Sequence, residues 1–447
     1  MEPTDKSLTL SPLDGRYYDK VSELSSYLSE FALNKQRILI ESEYLKALSE
    51  HHIIRVFSKQ ETIILDSLSG KFYSHESGIL KKYELRTKHD IKAVEYYLQE
   101  KLKSTSLVDV MRYIHFGLTS EDVNNLAYSS LLQTVNTECI VTLLDEILFE
   151  VKNIAVRYKY IPFLARTHGQ PAVPTTFGKE MYVFYNRLRN VKSLIQVYSF
   201  EGKLNGAVGN HNALVLLYPK VKWVQFSKRF ISSFKLKPCL VSTQILPSDS
   251  YVLYFTYLHL LNSILISLCQ DIWTYISQNI LILRKEKGQV GSSTMPQKIN
   301  PIDFENAEGN LQIANSLFNL YANKLPISRL QRDLSDSTVK RSFATALGHN
   351  ILAWKNIIKG LHKISLNEKV VSEQLFTHYE ILAEALQLYL KDKGDNEGYE
   401  KIKKEFQGRI ITKIEFQHML DEYKIDLKNL SPYTYTGIAA ELVKSFH

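Results

Sequence analysis

The stretch VLYFTYLHLLNSILISLC, Val252–Cys269, carries no formal charge over a length close to that of a bilayer-spanning helix. His259, Asn262 and several hydroxyl groups interrupt its apolar surface, and Asp249 and Asp271 flank it without a basic anchor. Membrane spans are typically flanked by Lys or Arg on one side. The stretch therefore predicts the buried central helix of a bundle, and we expect no membrane partner.

Helical periodicity dominates outward from this stretch, and strand alternation is scarce. Apolar residues recur at helical spacing in several long runs: residues 123–160, 175–200, 250–283, 303–323 and 337–364. After about residue 364 the runs become shorter. The pattern predicts an all-α fold whose long helices pack as a bundle and bury further faces against other subunits.

The change in run length also predicts domain boundaries. We expect an N-terminal helical domain, a central long-helix bundle and a small C-terminal helical domain, over residues 1–112, 113–364 and 365–447. Between the long helices, junctions rich in Gly, Pro, Ser, Thr and Asp predict loops or helix starts: SPLDGRYYDK, RTKHD, GLTSED, ARTHGQPAVPTT, STQILPSDS, GSSTMPQKINP and LQRDLSDSTVKR.

Two of these junctions carry helix-start signals. Asp90 stands at an N-cap position before the apolar face of Ile91, Val94 and Leu98, and residues 119–122 offer capping residues and early negative charge. We interpret the helices as a scaffold and the junctions as the functional part.

Charge and composition narrow the classes of partner. The net charge is +8 and the pI is about 9.0, which invites a nucleic-acid interpretation. However, basic residues are interleaved with acids, as in KKYELRTKHDIKAVEYYLQEKLK, and a small polyanionic substrate would explain the balance equally well. We therefore predict a small-molecule partner and no nucleic acid.

The cysteines and the absent motifs exclude further classes. Cys139, Cys239 and Cys269 are far apart, and the N-terminus lacks the pattern of a signal peptide, so we expect a reducing, cytoplasmic setting. Phosphate-loop, dinucleotide-binding, H-E-x-x-H and G-x-S-x-G motifs are missing. We predict no metal and no cofactor.

The class of chemistry that remains is acid/base catalysis, and two histidines are candidates for it. His168 lies in RTHGQP, boxed by Gly169 and Pro171, so a loop should present its imidazole. A lone histidine is more often structural. His89 beside Asp90 at a helix start favours a site with several polar contributors, because Asp can orient the ring and a helix N-terminus attracts anions.

The loop GSSTMPQKINP, residues 291–301, fits such a site. Its Gly and Ser/Thr residues could expose a row of backbone N–H groups, while Lys298 and Asn300 add a cation and an amide donor aimed at the same anion. A flexible connector with a capping asparagine explains the spacing about as well.

The motifs as a set resemble a known family. GSSTMPQKINP looks like the signature loop of the fumarase/aspartase superfamily, whose members eliminate fumarate from a substituted succinate. SPLDGRY, RTKHD, TSED, RTHGQPAVPTTFGKE, GAVGNHNA, STQ, NPIDFENAEGN and QRDLSDSTVKR resemble its adenylosuccinate lyase branch, particularly the longer bacterial form. The resemblance is strong over roughly residues 8 to 380.

The resemblance implies a three-domain, all-helical subunit in a homotetramer with shared active sites, acting on adenylosuccinate and the related succinyl-aminoimidazole-carboxamide ribotide in purine synthesis. It implies Ser292 as the base and His168 as the acid. The implied substrate-binding residues are Arg16, Tyr17, Lys88, His89, Asp90, Thr119, Ser120, Gln244, Ser293, Lys298, Asn300, Asn306, Arg332, Ser337, Thr338 and Arg341.

Some residues depart from the family pattern and keep alternatives open. Gln297 is familiar from argininosuccinate lyases, and Leu246 and Ser248 replace expected acidic and basic residues. A sister enzyme that releases fumarate from argininosuccinate is therefore one alternative. A non-catalytic structural or nucleic-acid-binding protein with the lyase fold is the other.

Overall fold

A computed structural model of the chain describes residues 8–285, 295–427 and 429–443. The helices before residue 240 are α1 (Tyr18–Val21), α2 (Ser25–Leu28), α3 (Glu30–Glu50), α4 (Lys59–Gly70), α5 (Ser74–Thr87), α6 (Asp90–Leu102), α7 (Ser120–Val135), α8 (Val141–Arg157), α9 (Phe177–Gln196), α10 (Asn212–Leu217) and α11 (Trp223–Ser233). The later helices are α12 (Asp249–Ser277), α13 (Ile302–Lys324), α14 (Ser335–Lys340), α15 (Phe343–Leu361), α16 (Glu368–Phe376), α17 (Ala383–Asp392), α18 (Gly398–Phe406), α19 (Lys413–Glu422) and α20 (Ala439–Leu442). The predicted all-α class is confirmed.

The strands of the described residues are short and form two-stranded sheets. β1 (Pro162–Thr167) pairs antiparallel with β2 (Gln170–Thr176), β3 (Glu201–Gly202) pairs parallel with β4 (Lys237–Pro238), and β5 (Leu281–Leu283) pairs antiparallel with β6 (Ile364–Leu366). The prediction of a loop or helix start at ARTHGQPAVPTT is therefore wrong. Its prolines disfavour a helix, whereas a two-stranded hairpin tolerates Pro on its free edges.

The long predicted helices are present with shifted ends. The run 123–160 is α7 and α8, joined by a π-helical turn at Asn136–Ile140, and the run 337–364 is divided into α14 and α15. The run predicted to reach residue 283 ends at Ser277, because Asn279 takes a left-handed φ of 57° and β5 follows.

Helix α12 contains the opening stretch. Among the described residues it is the one helix long and apolar enough to cross a bilayer, and 56% of its most apolar 18-residue window is buried within the chain. This burial favours the bundle interpretation over the membrane one.

The chain divides into two compact units. Unit 1 comprises Met1–Leu143, Lys192–Asn262 and Asn310–Leu352, and unit 2 comprises Leu144–Val191, Ser263–Gly309 and Ala353–His447. The three-domain division with boundaries after residues 112 and 364 stays a prediction.

Each unit has its own core. In unit 1 the Phe255 ring lies 4.8 Å from both Tyr321 and Phe343, centroid to centroid. Buried aromatic pairs like these stabilise by about 0.5–1.5 kcal/mol beyond their area burial. In unit 2 the C-terminal helices enclose Leu382, Phe406 and other apolar side chains. These two cores support the polar junctions on which the predicted site residues lie.

Candidate active-site residues

The predicted site residues are divided between the two units. Unit 1 holds Arg16, Tyr17, Lys88, His89, Asp90, Thr119, Ser120, Gln244, Arg332, Ser337, Thr338 and Arg341. Unit 2 holds His168, Lys298, Asn300 and Asn306. Ser292 and Ser293 lie outside the described residues.

The N-terminus of α7 organises the unit 1 group. Thr119 has the extended backbone of an N-cap residue, and its N–H donates to Asp122 Oδ2 over 2.9 Å. The Asp122 carboxylate is fully buried and also accepts from the backbone N–H groups of Asn205 (3.0 Å) and Gly206 (3.1 Å). One carboxylate thus holds the start of α7 against the loop that follows β3.

Lys203 completes this arrangement. Its ammonium group lies 3.0 Å from Asp122 Oδ1, and both side chains are 0% exposed. It also donates to the backbone carbonyls of Gly206 (3.1 Å) and Gln244 (2.7 Å), so all three of its N–H bonds have acceptors. The buried ion pair therefore joins α7, the 203–206 loop and the Gln244 segment.

Glu121 lies between two cations. Its carboxylate lies 3.3 Å from Lys340 Nζ and 3.9 Å from Arg332 Nη2. Arg332 Nη1 in turn donates to Gln244 Oε1 over 3.4 Å. Gln244 and Arg332 are therefore neighbours beside the N-terminus of α7.

Lys340 is a buried cation in this group. Burial alone would lower the pKa of Lys340, but the carboxylates of Glu121 and Asp336, the latter 2.8 Å away, raise the pKa overall. Lys340 consequently keeps its positive charge at neutral pH. It lies on α14 with Ser337 and Thr338, and the Arg341 backbone N–H donates to the Ser337 carbonyl over 3.3 Å.

Sequence reasoning missed Glu121, Asp122 and Lys203 as parts of this group. The sequence pattern indicates Glu121 and Asp122 only as acidic residues of a helix start. Lys203 stands in GKLNGAVGN, whose glycine spacing does not match a dinucleotide-binding motif. Its partner is distant along the chain, so no local spacing pattern reveals the pair.

The start of α6 corrects one assignment. His89, not Asp90, is the N-cap, because its extended backbone brings Nδ1 within 3.2 Å of the Lys92 backbone N–H. The proton of a neutral His89 ring then resides on Nε2, which lies 3.4 Å from Ser120 Oγ. Two predicted residues from separate helix starts therefore meet.

Asp90 is the first residue of α6, and its carboxylate lies 2.6 Å from Arg37. Arg37 is 2% exposed and also donates to Asn124 (2.9 Å) and Asn34 (2.7 Å). Burial would raise the pKa of Asp90, but the Arg37 charge and the backbone N–H of Ile91 outweigh it and lower that pKa. Asp90 therefore remains a carboxylate at neutral pH.

Arg341 lies near the same network. Its guanidinium is 3.7 Å from Glu30, which is 3.8 Å from Arg37. Arg341 and Glu30 are each about half exposed, so their ion pair is weak. A cavity of about 160 Å³ lined by Glu30, Lys340 and Arg341 adjoins them.

Arg16, Tyr17 and Lys88 are not joined to the α7 N-terminus by any contact described above. Arg16 is exposed, with its guanidinium carbon 5.9 Å from the centre of the Tyr17 ring. Lys88 is exposed at the end of α5, with a left-handed φ of 54°. Their place in a substrate site stays a prediction.

In unit 2, His168 occupies the tip of the β1–β2 hairpin. Thr167 pairs with Gln170, so His168 and Gly169 form a two-residue turn, with φ values of 53° and 76°. Two positive φ values are typical of a type I′ turn, which matches the twist of the flanking strands. His168 is exposed, and this short turn presents its imidazole to solvent.

Lys298, Asn300 and Asn306 lie at the start of α13. Lys298 is exposed in a turn closed by its own N–H to the Met295 carbonyl (3.1 Å). Asn306 accepts from Asn356 Nδ2 over 2.5 Å. The start of this helix is also fixed by Asp303, 2.5 Å from Lys363 Nζ.

The three residues that depart from the family pattern differ in burial. Leu246 is fully buried, so an apolar side chain suits its place. Ser248 is buried, and its hydroxyl has no hydrogen-bond partner in the part of the chain that the structure describes. Gln297 is exposed.

The two groups offer complementary chemistry. Unit 1 provides cations, hydroxyls and amides suited to an anionic, hydrogen-bonding ligand. Unit 2 provides an imidazole that can transfer a proton. Within residues 8–285, 295–427 and 429–443, no cluster of three or more His, Cys, Asp or Glu side chains could hold a metal ion.

Comparisons with known proteins agree over nearly the whole chain. A family model described as "Lyase" matches residues 15–314, and one described as "Adenylosuccinate lyase C-terminal" matches residues 328–436. The adenylosuccinate lyase of Haemophilus influenzae is 42% identical over 445 residues, covering 97% of this chain and 98% of the relative. Those of Escherichia coli K12 and Dictyostelium discoideum are 40% and 42% identical, over 98% and 96% of both chains.

Solved structures share the fold. A fumarate lyase from Mesorhizobium sp. BNC1 matches with a TM-score of 0.76 and 16% identity, covering 95% of this chain and 96% of the other. The 3-carboxy-cis,cis-muconate lactonizing enzyme from Pseudomonas putida matches with a TM-score of 0.74 and 17% identity, over 95% of both chains.

Proposed function

The chain belongs to the adenylosuccinate lyase family, and from this premise we propose that it cleaves adenylosuccinate to AMP and fumarate. We propose that it also cleaves a second purine substrate, the succinyl-aminoimidazole-carboxamide ribotide, to the carboxamide ribotide and fumarate. The observation that carries the proposal is the 42% identity to a curated adenylosuccinate lyase over 97% of the chain.

The reaction is a β-elimination that needs one base and one acid. The base removes a proton from the succinyl carbon next to a carboxylate, and the electron pair left behind forms the double bond of fumarate. The carbon–nitrogen bond breaks, its electrons pass to nitrogen, and the acid protonates that nitrogen. Negative charge builds on the carboxylate during this step and needs fixed donors.

We assign the acid to His168 and the base to Ser292, which lies outside the described residues. The exposed imidazole at a short, defined turn supports the first assignment, because a general acid must reach a group on a bound ligand. Ser293, Lys298 and Asn300 would hold the succinyl carboxylates. A serine base requires that its alkoxide be stabilised, which the charge of Lys298 would favour.

We assign the nucleotide half of the substrate to unit 1. Arg16, Arg332, Ser337 and Arg341 would lie near phosphate or carboxylate, since a planar guanidinium donates two parallel hydrogen bonds to such groups. Gln244, Thr119 and Ser120 would lie nearer the succinyl group. We also assign Tyr17, Lys88, His89, Asp90 and Thr338 of unit 1, and Asn306 of unit 2, to substrate binding.

We propose that the subunits form a homotetramer with shared active sites. Exposed apolar side chains follow one face of α12 (Leu253 and Leu260) and one face of α13 (Ile313 and Leu320), each pair seven residues apart. Light scattering should give four times the 51.6 kDa chain mass. Leu253→Glu with Leu260→Glu should break the assembly, whereas Leu388→Glu, at an exposed leucine of α17, should not.

We also propose a reducing, cytoplasmic setting. Cys139, Cys239 and Cys269 all lie in described segments and form no disulfide with one another, which supports this setting.

Turnover of purified protein tests the proposal. The chain should be produced in a host that lacks its own lyase, and AMP and fumarate should be measured together, beside a parallel reaction with argininosuccinate. Equal amounts of AMP and fumarate with inert argininosuccinate are expected. Fumarate from argininosuccinate alone would favour the sister enzyme, and no product from either substrate would favour a non-catalytic protein.

A further inference from the structure

One segment of unit 1 carries almost the whole excess charge of the chain. Between Glu201 and Asp249 there is no acidic residue, and there are seven basic ones: Lys203, Lys220, Lys222, Lys228, Arg229, Lys235 and Lys237. The net charge of the complete chain is only +8. The interleaving of acids and bases seen elsewhere in the sequence therefore fails in this segment.

Six of these cations face solvent and only Lys203 is buried. Lys237 lies 3.1 Å from Glu201. Lys220, Lys222, Lys228, Arg229 and Lys235 form no ion pair with any carboxylate of the described segments. Their positive potential is therefore not cancelled by a close partner.

Helix α11 packs directly behind the loop of the candidate site. The Ser227 hydroxyl donates to the Leu204 carbonyl over 2.5 Å, and Lys228 and Arg229 are the next two residues. Leu204 lies between Lys203 and Asn205, which both contact Asp122 at the start of α7. A hydrogen bond thus joins α11, which carries these two cations, directly to this loop.

Both ends of the segment are also fixed at this loop. The Cys239 N–H donates to the Gly202 carbonyl over 2.8 Å, and Asn205 Nδ2 donates to Ser242 Oγ over 2.8 Å. An 11-residue helix such as α11 is only about 16 Å long. The exposed cations therefore lie within about one to two Debye lengths of the loop at physiological salt, where that length is about 8 Å.

The side chains of this surface favour a small anion over a nucleic acid as the ligand. Single-stranded nucleic acids usually need exposed aromatic rings for base stacking. The aromatic residues of α11, Trp223, Phe226 and Phe230, are all buried. The exposed part of α11 therefore offers charge without a stacking platform.

We propose that this acid-free segment is an electrostatic capture surface for the substrate. Its positive charge would raise both the association rate and the affinity of a small polyanion for the unit 1 site. The inference rests on the proposed function, because adenylosuccinate would carry about four negative charges from its phosphate and two carboxylates. A cleft with one sign of charge raises the local concentration of an oppositely charged ligand, and salt screens the effect.

The test is the ionic-strength dependence of kcat/KM. Lys228→Glu with Arg229→Glu should lower kcat/KM for adenylosuccinate about tenfold at 20 mM salt, and the difference should shrink below about twofold at 500 mM. kcat at saturating substrate should change less than twofold, because neither side chain contacts the reacting atoms. Lys228→Gln with Arg229→Gln provides a milder pair that should give a smaller loss with the same salt pattern.

A control separates local from overall charge. Lys391→Glu with Lys393→Glu alters the net charge equally at the C-terminal end of α17, outside the acid-free segment, and should leave kcat/KM and its salt dependence unchanged. Equal salt curves for the wild type and the Lys228/Arg229 variants would overturn the proposal, as would an equal loss in the Lys391/Lys393 control. So would a uridine oligonucleotide that binds at physiological salt more tightly than adenylosuccinate does, since the surface would then be a nucleic-acid site. If the wild type does not cleave adenylosuccinate, the proposed function fails instead.

Discussion

The α7 N-terminus of unit 1 and the β1–β2 turn of unit 2 hold candidate site residues in opposite ways. In unit 1 the residues around the α7 N-terminus are linked through buried charges, with Asp122, Lys203 and Lys340 almost completely removed from solvent. In unit 2 His168 is exposed at a two-residue turn. Ligand recognition requires a rigid, preorganised surface, whereas a proton donor must reach a group on the ligand. We therefore expect substitutions at the buried charges of unit 1 to lower folding stability, and substitutions at the exposed His168 turn to lower turnover.

The largest effect should come from the two residues assigned to proton transfer. His168→Ala and Ser292→Ala should each reduce kcat by about 10²–10⁴, because each removes one of the two proton-transfer groups. Circular dichroism and light scattering should show a folded oligomer, since His168 has little packing to lose. His75→Ala is a matched control at another exposed histidine, 68% accessible, and should keep full turnover. Either variant retaining more than a tenth of wild-type turnover would disprove its assigned role.

The next effect should appear in unit 1 as a loss of folding stability. Lys203→Met leaves the buried Asp122 carboxylate without a counter-charge, so the free energy of unfolding should fall by about 3–5 kcal/mol. Urea unfolding followed by circular dichroism measures this. Lys228→Met, at an exposed lysine, should change it by less than about 0.5 kcal/mol.

A double variant sharpens this result. Lys203→Met combined with Asp122→Leu removes both charges and should cost less than the sum of the single changes. Additive costs would mean that the two groups do not stabilise each other.

A smaller effect should appear in substrate affinity. Arg341→Lys should raise KM about tenfold with little change in kcat, because an ammonium group cannot reproduce the paired hydrogen bonds of a guanidinium to phosphate. Arg329→Lys is the control, at a guanidinium 82% exposed and 3.6 Å from Asp333. An unchanged KM in Arg341→Lys would remove Arg341 from the phosphate site.

The smallest effect should be a pH dependence of stability at Asp90. Because the folded-state pKa of Asp90 lies below its ordinary value, the carboxylate stabilises the fold above about pH 4. This stabilisation is lost as the pH falls through the lowered pKa. The melting temperature of the wild type should therefore exceed that of Asp90→Asn by a constant amount between pH 6 and 8, and the difference should shrink below pH 4. A difference that grows on acidification would contradict the Arg37 pairing.

The fold was predictable because helical periodicity is a local signal. The runs that became α9, α12 and α13 are apolar at helical spacing over more than four turns, so burial and propensity agree. The β1–β2 hairpin was missed because its strands contain three prolines and little alternation. The turn itself depends on a left-handed His168, a conformation that most residues adopt rarely.

The site was predictable only where chemistry follows a motif. RTKHD located a helix start but placed the cap one residue late, because Lys88 turns left-handed and gives His89 the capping position. The neighbours of Thr119 and Ser120 could not be deduced. Asp122 meets Lys203, and Glu121 meets Lys340, across long stretches of chain that only the folded structure brings together.

The loop that contains Asn205 and Gly206 has no regular secondary structure, yet its backbone N–H groups donate to a carboxylate that is itself sealed from water. To expose these amides to solvent, the loop would have to move away from Asp122. Because Lys203 belongs to the same loop, this movement would also separate the Lys203 ammonium group from the buried Asp122 carboxylate. Amide hydrogen exchange at Asn205 and Gly206 should therefore be as slow as in the middle of α7, and solvent should reach these two positions only when the first turn of that helix opens as well.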